Sequence, residues 1–198
     1  MQTNNTFKIP PEFSPKERAL TLQVHDWHFP QMRKSNNAPY VTHLIRVAAI
    51  VKGVLQQPIL TAAALCHDLF EDTQTEELTL ISKLREIGYQ EEEIPKIIHL
   101  VWELTDEFVK KKYPQWNRAK RKAQEVRRLS KVSANAASIK LADLIDNTRD
   151  IHTLKRFADT YLREERALLQ VLTHGHKELV VLANEEYDHA VASLKKRN

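Results

Sequence analysis

The chain has 198 residues, 42% of them hydrophobic and 28% charged, with a net charge of +4 at neutral pH. That balance is typical of a soluble protein with a sizeable core. Three glycines and eight prolines supply too few turns for an all-β protein of this length, and one cysteine, Cys66, precludes an internal disulfide.

The N-terminus has no apolar leader, and no run approaches the ~20 apolar residues of a membrane span, so a cytoplasmic location without membrane contact is expected. Residues 1–13 are polar and broken by proline, and read as an extended lead-in to one domain over residues 14–198. Ser14-Pro15-Lys16-Glu17 is a helix start, with Ser14 as cap, Pro15 at N1 and Glu17 completing a capping box. This helix runs to about His28, before a turn-rich loop over residues 30–39. A second helix opens near Tyr40 to Thr42 and is expected to end at Gly53.

Pro58 starts a very apolar helix drawn through Phe70; its apolar residues surround the cylinder, so it is expected to be the buried centre of the fold. Further helices are expected over residues 76–87, stopped by Gly88, and 92–104, where Ile94, Ile97, Ile98, Val101 and Leu104 recur at helical spacing and Trp102 is counted with the core. Residues 114–131 are strongly basic. Ser133 caps a helix through Asp143, and two more helices, about 158–172 and 175–195, complete the chain. The pattern predicts an all-α bundle of about eight to ten helices.

Ionisable residues follow the apolar stretch directly in Cys66-His67-Asp68-Leu69-Phe70-Glu71-Asp72. Buried carboxylates need a compensating charge, and a divalent cation supplies it. On a continuous helix His67 and Asp68 lie about 100° apart and can reach one ion, with Glu71 and Asp72 one turn further on. The plainer alternative is a helix-terminal pair satisfied by solvent. A second candidate ligand, His43, starts the helix after Pro39-Tyr40. Far downstream Asp143 interrupts an apolar helix face, with Asn147 at i+4; its plainer alternative is a buried ion pair with Lys140. Two imidazoles and two carboxylates would suit Mn²⁺, Fe²⁺ or Zn²⁺.

The order His43, His67-Asp68, Asp143 resembles the HD superfamily of metal-dependent phosphohydrolases. Within it, His67-Asp68-x-x-Glu71-Asp72-Thr73 and Lys140-Leu141-Ala142-Asp143-x-x-x-Asn147 are similar to the RelA/SpoT-type alarmone 3′-pyrophosphohydrolases and their stand-alone small relatives, as are Pro39-Tyr40-x-x-His43 and Leu104-Thr105-Asp106. The similarity covers roughly residues 18–172. It implies an HD-domain bundle in which His43, His67, Asp68 and Asp143 ligate a metal, usually Mn²⁺. It further implies that Glu71 and Asp72 activate the attacking water. Arg33, Lys34, Lys140, Asn147 and Tyr161 would meet a purine nucleotide carrying a 3′-pyrophosphate. Leu44 stands where relatives often have proline, and Asn37 where a loop glycine is common; asparagine tolerates positive φ, so the turn can survive. No synthetase domain fits in the remainder, so an alarmone enzyme of this kind only degrades.

Other readings compete. Another nucleotide, such as an adenosine alarmone, would suit the altered 30–38 loop. The segment over residues 110–131, with Tyr113 and Trp116, could instead serve a non-catalytic nucleic-acid module, although a solvated or substrate-facing helix explains it more simply. Arg33 and Lys34 have a solvated-loop alternative. His174 and His176 fit a helix junction better than a metal site, and Cys66 fits an inert core thiol.

Overall fold

The computed structural model describes residues 7–151 and 157–196, so residues 1–6 of the expected lead-in lie outside the described residues. The described residues contain ten helical segments and no strand beyond one isolated bridge, Met32 to Pro39. They fall into two compact units, residues 1–102 and 103–198.

The first unit opens with a turn closed from Phe13 to the Pro10 carbonyl, and Phe13 is buried, so the lead-in reaches the core where a purely extended segment was expected. Helix α1 (Pro15–His28) carries the capping box: the Ser14 amide donates to Glu17 and the Glu17 amide to the Ser14 hydroxyl. Leu20, Val24 and His28 recur every fourth residue on its buried face. Helix α2 (Val41–Leu55) passes through Gly53, ends two residues later at Leu55 and is capped by Gln56 in the left-handed conformation with φ 53°. Gln57, held extended before Pro58, explains this stop.

Helix α3 (Pro58–Cys66) is buried at every position from Leu60 onward and packs against α2 and α1, which makes it the expected centre of its unit. It does not continue through Phe70. Asp68 leaves helical geometry at φ −97°, ψ 2°, and a separate turn, α4 (Leu69–Asp72), follows. His67 and Asp68 therefore lie between two helical segments and not within one continuous helix. Helix α5 (Glu77–Ile87) ends at Gly88, whose φ of 100° is one an L side chain rarely adopts. Helix α6 (Ile94–Leu104) buries the expected isoleucine stripe. Trp102 is 48% exposed, contrary to its placement in the core. Its indole donates to Glu77 and its ring lies against Phe70, so it works as a polar-tipped cover at the surface.

The second unit holds α7 (Arg118–Leu129), α8 (Ala134–Arg149), α9 (Ala158–Val171) and α10 (Lys177–Lys195). Asn117 and Ser133 cap α7 and α8 through their side chains. Helix α10 packs against α8 and α9. The turn into α10 runs so close to α8 that a Cβ on Gly175 would stand 2.7 Å from Leu141 Cδ1 and 3.3 Å from the Ser138 amide nitrogen. The His176 amide donates to the Ser138 hydroxyl and His174 bonds the Val132 carbonyl, so this is a helix junction, as its sequence suggested.

Candidate metal centre and active site

Each histidine owes its place to a helix end. His43 lies in the first turn of α2 and His67 directly after α3, both buried among apolar neighbours. The carbonyl of Ala64, which α3 leaves without an intrahelical partner, accepts from His67 Nδ1 at 2.8 Å. A carbonyl can only accept, so Nδ1 carries the proton and Nε2 keeps a lone pair for a Lewis acid. That lone pair faces Asp68, whose Oδ2 is 3.1 Å from His67 Nε2 and 3.6 Å from His43 Nε2. The Tyr40 hydroxyl donates to the same oxygen at 2.6 Å.

One donor atom from each of His43, His67 and Asp68 lies within 4.8 Å of the others; among the described residues no other metal-holding group of this kind forms. Two ring nitrogens and a carboxylate, two of the three side chains buried and one ring oriented by the backbone, fit a divalent cation of intermediate hardness. The backbone leaves helical geometry at Asp68, the residue whose carboxylate faces both rings.

Glu71 and Asp72 stand exposed on α4, with the Asp72 amide bonded to the Asp68 carbonyl at 2.9 Å. Partial desolvation, with the Asp68 charge second, holds the Asp72 carboxyl above the usual carboxylate range, while Tyr40, His28 and His67 pull it back. Asp143 lies buried on α8 in the second unit, where Lys140 Nζ is 2.8 Å from its Oδ2 and Asn147 donates to its Oδ1 at 2.6 Å. The Lys140 ion pair and the i+4 contact with Asn147 both exist as the sequence suggested. Tyr161 is half-buried on α9.

Arg33 is 7% exposed, which removes the solvated-loop alternative for it; Lys34 is exposed. The Arg33 amide donates to the Ala38 carbonyl and the Asn37 amide to the Arg33 carbonyl, closing the loop on an Asn37 at φ 55°. The asparagine thus adopts the positive φ expected of a glycine substitute. Cys66 is fully buried and desolvation drives its thiol far above the ordinary range, as an inert core residue should be.

In the basic segment Arg118 pairs with Glu164, Lys122 with Asp106 and Arg128 with Glu125. Tyr113 and Trp116 stack on one another, and Lys120 covers the Trp116 ring. Much of this charge and aromatic area is engaged within its own unit, which argues against a nucleic-acid platform.

Two neighbours of the site escaped the sequence reading. Tyr40 sits within the Pro-Tyr-x-x-His motif, which was a signal for it. His28 is 1% exposed, stacks on Tyr40 at 5.0 Å with an 18° tilt, and places Nδ1 2.9 Å from Gln31 Oε1. Burial lowers its pKa below the usual histidine value. Its i+4 spacing from Val24 on a buried stripe was the available signal.

A family model for the HD domain matches residues 18–172, and the chain belongs to that family. Among its relatives is the guanosine-3′,5′-bis(diphosphate) 3′-pyrophosphohydrolase MESH1 of Drosophila melanogaster, 35% identical over 127 residues, 63% of this chain and 63% of the relative. The chain therefore spans under two thirds of that protein's length. The Mus musculus protein of the same name is 34% identical over 143 residues, 69% of this chain and 72% of the relative. A solved structure described as a metazoan orthologue of SpoT that hydrolyses ppGpp superposes with a TM-score of 0.72, at 24% identity, over 91% of this chain and 98% of that one. This likeness extends to the fold. No helix among the described residues is long and apolar enough to cross a membrane.

Proposed function

We propose that this chain hydrolyses the 3′-pyrophosphate of guanosine alarmone nucleotides, releasing pyrophosphate. The observation that carries the reading is the His43–His67–Asp68 donor group, with His67 oriented by the Ala64 carbonyl, in an HD-family chain similar to named 3′-pyrophosphohydrolases. A divalent ion held there, for which we propose Mn²⁺, would neutralise phosphoryl charge and acidify its water. The motif order assigns Asp143 as a further ligand to the same ion.

The remaining roles belong to the chain's own side chains. Glu71 and Asp72, both on α4, are assigned to proton handling, and partial burial raises the Asp72 carboxyl above the usual carboxylate range, the direction that suits a general base. Tyr40 steadies Asp68 through its hydroxyl. Arg33, Lys34, Lys140, Asn147 and Tyr161 are assigned to the nucleotide, the basic ones matching its phosphate charge. The single buried thiol suits a reducing cytoplasm.

A panel of 3′-pyrophosphorylated guanosine and adenosine nucleotides and ordinary triphosphates, assayed with Mn²⁺ and scored by product, tests this. Pyrophosphate release from the guanosine alarmones is expected; release from adenosine forms alone would move the base assignment. No release from any 3′-pyrophosphorylated nucleotide would end the proposal. His67→Ala should lose bound metal by elemental analysis. Its activity should fall at least ~100-fold, since even residues behind metal ligands are worth about 10–100-fold.

A further inference from the structure

The four-residue helix α4 carries Glu71 and Asp72, and a helix that short cannot hold its own geometry. Its last turn rests on the bonds from the Asp72 amide to the Asp68 carbonyl and from the Thr73 amide to the Leu69 carbonyl, at 2.9 and 3.2 Å. The Thr73 hydroxyl adds a bond to the Leu69 carbonyl at 2.7 Å, and the Glu71 amide one to the Asp68 carbonyl. One more comes from outside the turn: Gln31, in the loop after α1, donates through Nε2 to the Asp72 carbonyl at 2.5 Å. With its amide nitrogen committed there, Gln31 can offer His28 only its oxygen, so His28 Nδ1 must be the donor across their 2.9 Å contact. The carboxamide is thereby held in one orientation by the imidazole behind it.

The same ring stacks on Tyr40, whose hydroxyl holds Asp68 Oδ2. One imidazole therefore braces both ends of the 68–72 segment, the Asp68 end through Tyr40 and the Asp72 end through Gln31. His28 Nε2 is meanwhile buried with no hydrogen-bond partner among the described residues. An unsatisfied buried acceptor costs stability, and an apolar ring would fill the position without that cost. What the imidazole adds over such a ring is the Nδ1 donor that holds Gln31.

We propose that His28 and Gln31 are positioning residues that set the geometry of α4, and with it the Glu71–Asp72 pair, for the hydrolytic step. The proposal rests on assigning that pair to proton handling. Neither residue is assigned a contact with substrate.

The test compares metal-loaded wild type with Gln31→Met and His28→Phe by steady-state kinetics, amide hydrogen exchange and thermal melting. The methionine keeps the bulk of Gln31 without its hydrogen bonds; the phenylalanine keeps the stack on Tyr40 without the Nδ1 donor. In both variants kcat should fall about tenfold with KM within about twofold, a loss in the range expected of a small misplacement of a reacting group. Exchange at the Asp72 and Thr73 amides should quicken by about tenfold as the end of α4 loosens. The melting point of His28→Phe should stay level or rise.

A fall in kcat that merely tracks a fall in melting point would overturn the proposal. So would unchanged exchange at both amides, or an unchanged kcat. If wild type hydrolyses no 3′-pyrophosphorylated nucleotide, the functional reading fails separately, and the exchange rates alone then decide whether His28 and Gln31 fix α4.

Discussion

His67 shows how much one side chain can settle locally. A single hydrogen bond to a helix-end carbonyl sets its tautomer and the side of the ring that Nε2 presents to Asp68. Glu165 is the opposite case, a buried carboxyl that forms no ion pair among the described residues. It is 1% exposed on α9, accepts from the Thr148 hydroxyl, and burial pushes its pKa up to about 7. The neighbouring Asp143 charge adds to that rise. A folded-state pKa above the unfolded one means the native state binds the extra proton. Its contribution to stability is therefore complete below about 4.5 and is lost as pH rises through about 7. Urea titrations from pH 5 to pH 8 should show that decline in wild type. Glu165→Gln should flatten it and gain on the order of 1–3 kcal/mol at pH 8. A variant with the wild-type slope would show that Glu165 is not the titrating group.

Among the elements, the ends were harder to read than the middles. The capping box at Ser14, the stop at Gly88 and the isoleucine stripe of α6 were legible because each depends on residues within one or two turns. The end of α2 was not, because the left-handed cap falls on Gln56, which carries no signal, while Gly53 advertised a stop. What prevails is the extended backbone imposed ahead of Pro58. Gly53 therefore pays an entropic cost inside a helix, and nothing lies within 4 Å of where its Cβ would be. Gly53→Ala should raise stability by about 0.5–1 kcal/mol in denaturant melts, and a loss would contradict the helical assignment. The break at Asp68 was equally hidden, since no glycine or proline marks it. There the chain gives up helix continuity where the carboxylate meets the two imidazoles and the tyrosine hydroxyl.

For the whole molecule, the sequence carried the three donors of the metal group better than their supports. His67 and Asp68 stood out because ionisable groups directly follow an apolar run, and His43 because it starts the helix after Pro39-Tyr40, patterns visible without coordinates. Tyr40, His28 and Gln31 act through contacts between segments far apart in the chain, and such contacts leave only faint traces in composition. Glu165 shares a buried face with Leu162 and Leu169, so its burial was readable from spacing.

Gly175 belongs to this scale because it governs how closely one helix junction seats on another helix. A methyl group there would meet Leu141 Cδ1 at 2.7 Å and the backbone of α8 at 3.3 and 3.4 Å. The side chain can swing away but the backbone cannot, so Gly175→Ala should cost about 1–3 kcal/mol in a chemical melt. Helix α8 also bears Lys140, Asp143 and Asn147, so any yielding at the junction reaches those side chains first. A saturation screen scored on turnover should thus rank position 175 beside the acid and imidazole positions, although it carries no reactive atom. Sorting the hits by abundance as well as by rate would separate such a spacer from the chemistry it supports.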